Sequence, residues 1–132
     1  MKALTIRQPY ADAIVHGHHT HGYKRTENRS RPIPPKYLGQ TILIHAAKAP
    51  HPAAEIWGPR PDVRSALLAT AVLTSCHFDG AGCCAPWGMP NWFHWQLDDV
   101  QPLTTPVPAS GQLGFWTPPD NVLAAVPEAP TR

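Results

Sequence analysis

The sequence predicts a mainly β domain of the α+β class, with short helices at its periphery. Its apolar and β-branched runs are short, and they are separated by proline, which accounts for 17 of the 132 residues. Residues 93–97 alternate apolar and polar side chains, which is typical of a half-buried strand. A chain of this length has room for one hydrophobic core. We therefore expect one domain over residues 1–118 and a tail over 119–132.

The first helix is predicted over residues 9–17. Pro9 suits a first helical position, Tyr10, Ala13 and Ile14 recur at helical spacing, and Gly17 suits the end of a helix. A short helix over residues 52–57 is a further candidate.

Strands are predicted from apolar, β-branched and aromatic content. They cover residues 2–6, 41–47, 67–77, 93–97 and 112–116. Ile42, Ile44 and Ala46 are expected on one face of their strand. A helix is the alternative for the first half of 67–77. The aromatic residues at 92–95 and 115–116 are expected in the core.

Two long stretches are predicted as loops. Residues 18–35 have no sustained hydrophobic period, and we expect a functional loop there with a short extended piece near Glu27. Residues 79–91 are rich in glycine and proline. The tail after Pro118 is rich in Pro and Ala, and we expect it to lie on the surface as a strap or to fray.

The most informative stretch lies in the first of these loops. Lys24, Glu27 and Arg29 place an ammonium, a carboxylate and a guanidinium within six residues. An extended backbone would put Glu27 and Arg29 on one face and Lys24 on the other, whereas a turn would let all three converge. Arg presents a planar fork to phosphate or a base edge, and Glu accepts from an exocyclic amine. The alternative interpretation is a solvated charged turn.

Four motifs, in order along the chain, resemble the ASCH domain, a family within the PUA-like superfamily of small nucleic-acid-associated β-barrels. They are an opening strand with a Gln-Pro-aromatic turn, a Gly-x-Lys-x-x-Glu-x-Arg loop, a Leu-Ile-His-Ala strand and a set of closing strands. The matching segments are residues 3–11, 22–29, 38–48 and 93–116. The resemblance spans roughly residues 2–117 and implies a PUA-like β-barrel with short peripheral helices.

The resemblance also implies a cleft that binds nucleic acid or a modified nucleoside. RNA is the expected partner, because unpaired bases can be stacked and read on their edges. Tyr10 is the first candidate for stacking on a base, since the Gln-Pro-aromatic turn of the family lies beside the charged loop, and Trp87 is the second. The predicted ligand-binding residues are Gln8, Tyr10, Lys24, Glu27, Arg29 and His45.

An enzyme is the alternative function. Some bacterial ASCH-type proteins are amidohydrolases that act on acetylated cytidine with a Lys, a Thr three residues later and a distant Glu. In this chain Glu27 stands three residues after Lys24, and Thr26 comes one place too early, which in an extended segment turns it to the opposite face. A hydrolase of acylated nucleosides or RNA phosphodiesters would therefore use Lys24 and Glu27, with His45 as a candidate partner. A buried structural histidine is the alternative for His45.

Charge is unevenly distributed along the chain, although the formal net charge is only +2. Residues 1–64 carry ten Lys/Arg and four acidic residues, whereas residues 65–132 carry one Lys/Arg and five acidic residues. This polarity favours a basic face towards phosphates. A group of histidines in the charged loop is expected to add a polar, pH-sensitive surface or further phosphate donors. It comprises His16, His18, His19 and His21.

The three cysteines do not predict a metal site. Zinc sites favour ligand pairs with a short spacing such as Cys-x-x-Cys, whereas Cys83 and Cys84 are adjacent and would point apart on an extended backbone. A glycine-rich loop separates Cys76 and His77 from Cys83 and Cys84, and this spacing matches no zinc finger. We therefore expect buried or surface thiols, no metal and no cofactor.

A cytoplasmic protein without membrane contact is expected. No apolar run approaches the roughly 20 residues needed to span a bilayer. The N-terminus leads into a predicted strand without the apolar region of a signal peptide. An odd number of cysteines fits a reducing compartment.

Overall fold

The fold is built on one mixed sheet of six strands. The computed structural model describes residues 1–52, 63–80 and 82–127. In chain order the elements are β1 (Ala3–Ile6), α1 (Tyr10–Val15), β2 (Thr26–Arg29), a 3-10 turn (Pro35–Tyr37), β3 (Thr41–Ala46), β4 (Ala66–Asp79), β5 (Trp92–Pro108), β6 (Phe115–Trp116) and α2 (Asp120–Ala124). The prediction of a mainly β fold with short helices is confirmed. Neither helix in the described part of the chain has the length and apolar content to cross a bilayer.

The strand order is β2-β5-β4-β3-β1-β6. β1 runs parallel to β3, and every other neighbouring pair is antiparallel. β2 is the short extended piece that the sequence predicts near Glu27, and it pairs with the start of β5. The long connection between α1 and β3 therefore contributes an edge strand to the sheet.

Side-chain alternation along β3 divides the core between the two faces of the sheet. Ile42, Ile44 and Ala46 point together, as predicted, into a cluster that includes Ile14 of α1. Leu43 points the other way into a second cluster. Both faces of β3 are therefore covered, which explains its almost continuous apolar sequence.

The segment after residue 118 covers the second cluster. The sequence predicts a surface strap or a frayed tail there, and residues Asp120–Ala124 of it form the short helix α2. Val122 and Leu123 of α2, and Val126 just after it, are partly buried and pack against that cluster. Residues 128–132 lie outside the described ranges.

β5 is much longer than the predicted strand over residues 93–97, because it continues to Pro108. The prolines that argue against a strand there are accommodated in two ways. Register shifts interrupt the pairing of β4 with β5. On its other side, β5 pairs with β2 in the described part of the sheet, and this pairing covers only residues 93–96. Proline is tolerated at bulges and on free strand edges, where no ladder hydrogen bond is lost.

Three other predictions have different outcomes. β4 is a strand throughout, so the helix alternative for the first half of 67–77 is wrong. The predicted strand 112–116 shrinks to two residues, because Gly114 adopts a φ of +72° and Leu113 points into solvent. Apart from Pro52, the candidate helix over 52–57 lies outside the described residues.

The sheet curls so that its two ends approach each other. Trp95, near the β2 end, stacks on Phe115 of β6 with ring centroids 5.6 Å apart. Arg29 of β2 donates through Nη2 to the Thr5 carbonyl of β1 at 3.1 Å. In the described part of the chain, β2 and β6 are not paired through their backbones, and side chains connect these two ends of the sheet.

His45 is held in the core by a chain of hydrogen bonds. Trp116 Nε1 donates to Thr5 Oγ1 at 2.8 Å, and Thr5 Oγ1 lies 3.1 Å from His45 Nδ1. His45 Nε2 lies 2.8 Å from the Ala109 carbonyl and donates to it. Burial lowers the pKa of His45 although the Ala109 carbonyl favours a proton on the ring. His45 is therefore a neutral structural histidine in the core.

Gly111 lies directly against this ring. A Cβ at Gly111 would stand 2.4 Å from His45 Cε1, so we expect Gly111→Ala to lower the free energy of unfolding by about 1–3 kcal/mol through overpacking. Gly80→Ala is the matched control, because the nearest atom to its added Cβ is 4.0 Å away. Urea denaturation of both variants measures the difference, and equal stability would contradict the tight packing of His45.

Candidate functional site

The loop that carries the charged residues is fastened to the end of α1. The Lys24 amide donates to the Ala13 carbonyl at 3.0 Å, and Arg25 Nη1 donates to the Ile14 carbonyl at 2.7 Å. The Arg25 contact satisfies a carbonyl of the last helical turn, while the Ala13 carbonyl accepts from the Gly17 amide as well as from Lys24. Gly17, with a φ of +80°, lets the chain reverse immediately after the helix. The start of the charged segment is therefore fixed by backbone contacts.

The local backbone decides how the three predicted charges meet. Glu27 and Arg29 lie two residues apart in β2 and therefore share a face. Lys24 precedes the strand, so strand alternation does not turn its side chain away. Of the two geometries that the sequence leaves open, the structure adopts the convergent one.

Glu27 binds both cations at once. Lys24 Nζ donates to Glu27 Oε1 at 2.9 Å and also to the Thr26 carbonyl. Arg29 donates through Nε to Glu27 Oε2 at 2.9 Å, and its Nη2 lies 2.8 Å from the same oxygen. The side chains of Lys24 and Glu27 are 3% and 11% exposed, whereas that of Arg29 is 25% exposed. We call these three residues the ion triad.

Burial and charge act on Glu27 in opposite directions. Burial raises the pKa of the carboxyl group, but the Lys24 ammonium and the Arg29 guanidinium outweigh it and hold the pKa below its ordinary value of 4.5. Glu27 is therefore ionised at neutral pH and is a weak base. Its role in the ground state is to accept hydrogen bonds.

The ion triad forms one wall of a cavity of about 820 Å³. Aromatic and apolar side chains also line the cavity, including Tyr10, Trp87, Met89 and Trp92. Volumes of about 300–1,000 Å³ are typical of small-molecule sites. The cavity thus combines a charged wall with flat rings.

Tyr10 lies where the sequence predicts it, whereas Gln8 does not. Tyr10 lines the cavity, with the Lys24 ammonium 6.0 Å from the centre of its ring. Gln8 is fully buried, and its side-chain amide donates to Asp12 Oδ1 at 3.1 Å and also bonds to the Val63 carbonyl. Its amide group is satisfied inside the protein and is not part of the cavity lining.

The structure also places His45 away from the cavity lining. Its ring is buried between Thr5 and Ala109, with both nitrogens engaged. Gln8 and His45, which the sequence predicts near the pocket wall, are therefore not among the residues that line the cavity. Both polar side chains support the fold instead.

Several cavity residues are not among the predicted ones. Arg7 is exposed and lines the cavity, and Trp92, which we expected in the core, is 39% exposed at its edge. Asn28 joins β2 to the loop between β4 and β5: its Nδ2 donates to the Trp87 carbonyl at 2.9 Å, and its Oδ1 accepts from the Met89 amide at 2.9 Å. An Asn between Glu27 and Arg29 is the only sequence signal for this contact.

The histidine-rich loop lies next to the same wall. The His18 ring stacks on those of His19 and His21, and the rings of His18 and His21 meet Trp87 edge-on at 6.2 and 6.0 Å. Partial burial and the neighbouring His19 and His21 lower the pKa of His18. The loop therefore supports the aromatic side of the cavity.

Neither protein-family models nor curated proteins give a match for this chain. Function is therefore inferred from the chemistry of the cavity. The ion triad offers hydrogen-bond donors with positive charge and one ionised acceptor, while the rings offer stacking surfaces.

Replacing Glu27 tests whether the ion triad is a buried charge network. Glu27→Gln leaves Lys24 buried without its counterion, so we expect a loss of about 3–5 kcal/mol in the free energy of unfolding. The double variant Lys24→Met/Glu27→Gln removes the stranded ammonium and should recover part of the loss. Chemical denaturation measures both, and a loss below about 1 kcal/mol for Glu27→Gln would identify a solvated pair instead.

The same network gives stability a defined dependence on pH. The folded-state pKa of Glu27 lies below its ordinary value of 4.5. Its contribution is therefore complete above pH 4.5 and is lost as the pH falls through the folded-state value. Wild-type protein should lose more stability on acidification below pH 4.5 than Glu27→Gln does. Parallel curves for the two proteins, measured by denaturation at a series of pH values, would contradict this assignment.

Proposed function

We propose that this protein is a nucleic-acid-binding domain that takes one base, most favourably of an unpaired stretch of RNA, into the cavity. The observation that carries this proposal is that the ion triad and several aromatic rings line the same cavity of about 820 Å³. A nucleotide has a flat base, polar base edges and a phosphate, and the cavity offers a partner for each. A free modified nucleoside has the same base chemistry.

The ion triad suits the polar edge of a base. Lys24 donates to Oε1 and Arg29 to Oε2 of the Glu27 carboxylate, which has roughly four lone-pair positions, and Arg29 Nη2 also lies 2.8 Å from Oε2. The remaining position on Oε1 can accept from an exocyclic amine. Among the described residues no acceptor contacts Arg29 Nη1, so its N–H groups are available to a carbonyl or phosphate oxygen. These donors and acceptors define which base edge fits.

The aromatic part of the cavity lining suits the face of a base. Tyr10 and Trp87 are both partly buried, so each presents a ring without being enclosed in the core. Stacking on an aromatic side chain stabilises a bound base by about 1–3 kcal/mol. Asn28 holds the Trp87 backbone in place, and the histidine loop packs on its ring.

Charge favours an anionic ligand. Among the described residues, three cationic side chains line the cavity, Arg7, Lys24 and Arg29, together with one carboxylate, that of Glu27. Arg7 lines the cavity and is exposed, so it is available to a phosphate of the chain that carries the base. Polar contacts to the backbone position the ligand, while contacts to the base edge specify it.

Binding is favoured over hydrolysis by the state of Glu27. A general base works best with a pKa near the pH of the reaction, and that of Glu27 is lowered away from neutrality. Thr26 is buried and is not part of the cavity lining. Thr5 does line the cavity, but its hydroxyl already contacts His45 Nδ1 and Trp116 Nε1. A hydrolase that uses Lys24 and Glu27 remains the second candidate, because both line a cavity of suitable size.

We also propose that the fold is of the ASCH type within the PUA-like superfamily. The four motifs occur in order along the chain, and the sheet curls until side chains of its two ends meet. In a closed barrel of this type the Arg29–Thr5 contact would lie along the closing seam.

Binding should depend steeply on salt, and Arg7 provides the test. Each phosphate neutralised on a single strand contributes about −0.7 to the slope of log affinity against log salt. We expect Arg7→Ala to reduce the magnitude of that slope by about 0.7 and to leave the fold intact, because Arg7 is exposed. Fluorescence anisotropy with a labelled single-stranded RNA over a range of salt concentrations measures it.

Lys36→Ala is the matched control for Arg7→Ala. Lys36 is an exposed cation that does not line the proposed cavity. Its removal should leave both affinity and slope nearly unchanged. Equal effects of the two substitutions would show that RNA binds by diffuse charge attraction and not in the cavity.

Stacking is tested separately at Trp87. Trp87→Ala should weaken binding by about 1–3 kcal/mol with little change in the salt slope, because it removes a ring and no charge. Phe78→Ala is the control, since Phe78 is an exposed ring outside the cavity lining. Absence of RNA and DNA binding at low salt, together with turnover of an acylated nucleoside that Lys24→Ala abolishes, would establish the hydrolase instead.

A further inference from the structure

A second group of chemically active side chains lies at the far end of the β4–β5 hairpin. His77 is near the end of β4, His94 is near the start of β5, and the two are direct cross-strand partners. Cys83 and Cys84 lie in the loop that joins the strands. One ligand atom from each of these four residues can be chosen so that all lie within 4.8 Å of one another. We propose that His77, Cys83, Cys84 and His94 bind a structural zinc ion, and we call them the Cys₂His₂ cluster.

Four of the six distances within the cluster are close to those around a tetrahedral cation, and the other two are at most 4.8 Å. Cys83 Sγ lies 3.1 Å from His77 Nε2, 3.2 Å from Cys84 Sγ and 3.5 Å from His94 Nδ1, and Cys84 Sγ lies 3.5 Å from His77 Nε2. Zinc bonds of about 2.3 Å to sulfur and 2.0–2.1 Å to nitrogen give tetrahedral edges of about 3.4–3.8 Å. Small outward movements of the sulfur atoms would therefore admit the ion.

The identity and number of the ligands select the metal. Two thiolates and two imidazoles form the sulfur–nitrogen set that tetrahedral zinc prefers, whereas magnesium and calcium prefer oxygen. Four protein ligands fill a tetrahedral site, so no position is left for a substrate. The proposed ion is therefore structural.

His94 is oriented as a zinc ligand would be. Its ring is 1% exposed, and Nε2 lies 2.6 Å from the Met89 carbonyl, to which it donates. This bond places the proton on Nε2 and leaves the lone pair of Nδ1 directed to the side of Cys83. Zinc-binding histidines commonly donate their second N–H to a carbonyl in this way.

The loop backbone is shaped around the cluster. Cys84 adopts a φ of +62°, which is unusual for a residue with a side chain, and this turn brings two adjacent thiols to the same point. Gly88 closes over them: its amide donates to the Cys84 carbonyl at 2.7 Å. A Cβ at Gly88 would stand 2.7 Å from both Cys84 Cβ and His94 Cε1. The expectation that one thiol points away fails because the backbone is not extended.

The zinc ion would fix the loop that lines the cavity. Trp87 and Met89 lie between the ligands Cys84 and His94 in the sequence, and both line the cavity. The zinc proposal does not depend on what the cavity binds. Its test can therefore fail or succeed independently of RNA binding.

Metal content of tag-free protein gives the first test. We expect one zinc per chain by elemental analysis after purification without chelator. Titration of reduced, metal-free protein with Co²⁺ should give the visible absorption of a tetrahedral site with a thiolate charge-transfer band, saturating at one equivalent and bleached by zinc. Failure of wild-type protein to show either zinc or the Co²⁺ spectrum overturns the proposal, whether or not any variant folds.

Two matched variants locate the ion. Changes in residues that only orient zinc ligands lower metal affinity about 10- to 100-fold, so we expect Cys84→Ser to lower it by more than about 100-fold in a chelator competition. Cys76→Ser is the control. Cys76 is next to the proposed ligand His77 in β4, but it packs against the apolar core. Chelator should lower the melting temperature of wild type and Cys76→Ser but not of Cys84→Ser. Zinc retained by Cys84→Ser, or a Cys83–Cys84 disulfide in freshly isolated protein, would overturn the site.

Discussion

The buried carboxylate of Glu27 joins parts of the molecule that the backbone leaves separate. It accepts from Lys24, which is fastened to the end of α1, and from Arg29, which also donates to Thr5 of β1. The contact between the two ends of the sheet therefore depends on a charge network. Removing one member of such a network leaves an uncompensated buried charge. This is more destabilising than replacing all the charged members with apolar side chains. The residues that build the cavity wall are consequently also residues that hold the fold.

The fold was predictable where its signals are local. Alternation in β3 and the Gly17 stop of α1 depend on neighbouring residues only, and both occur as expected. The continuation of β5 to Pro108 was not predictable, because it depends on bulges opposite β4 and on an edge that β2 leaves unpaired. The approach of Cys84 to its neighbour likewise depends on one backbone angle, which no spacing rule supplies.

The candidate site was predictable in part for a related reason. The three charges attract attention because core packing does not require them, and they do converge. Gln8 and His45 carry the same kind of polar signal, but their hydrogen bonds are satisfied inside the protein, and only the packed structure reveals this. Asn28 and Met89 meet across 61 positions of sequence, a pairing that depends on the register of β2 with β5.

The double contact of Asn28 with the β4–β5 loop also affects the thermodynamics of recognition. A binding loop that must become ordered loses conformational entropy at the moment of association, about 0.5–1.5 kcal/mol for each side chain immobilised. Here the backbone at Trp87 and Met89 is already bonded to the strand that carries the charges. The aromatic and charged walls are thus held in register before any ligand arrives. Preorganisation of this kind moves an entropic penalty from binding to folding.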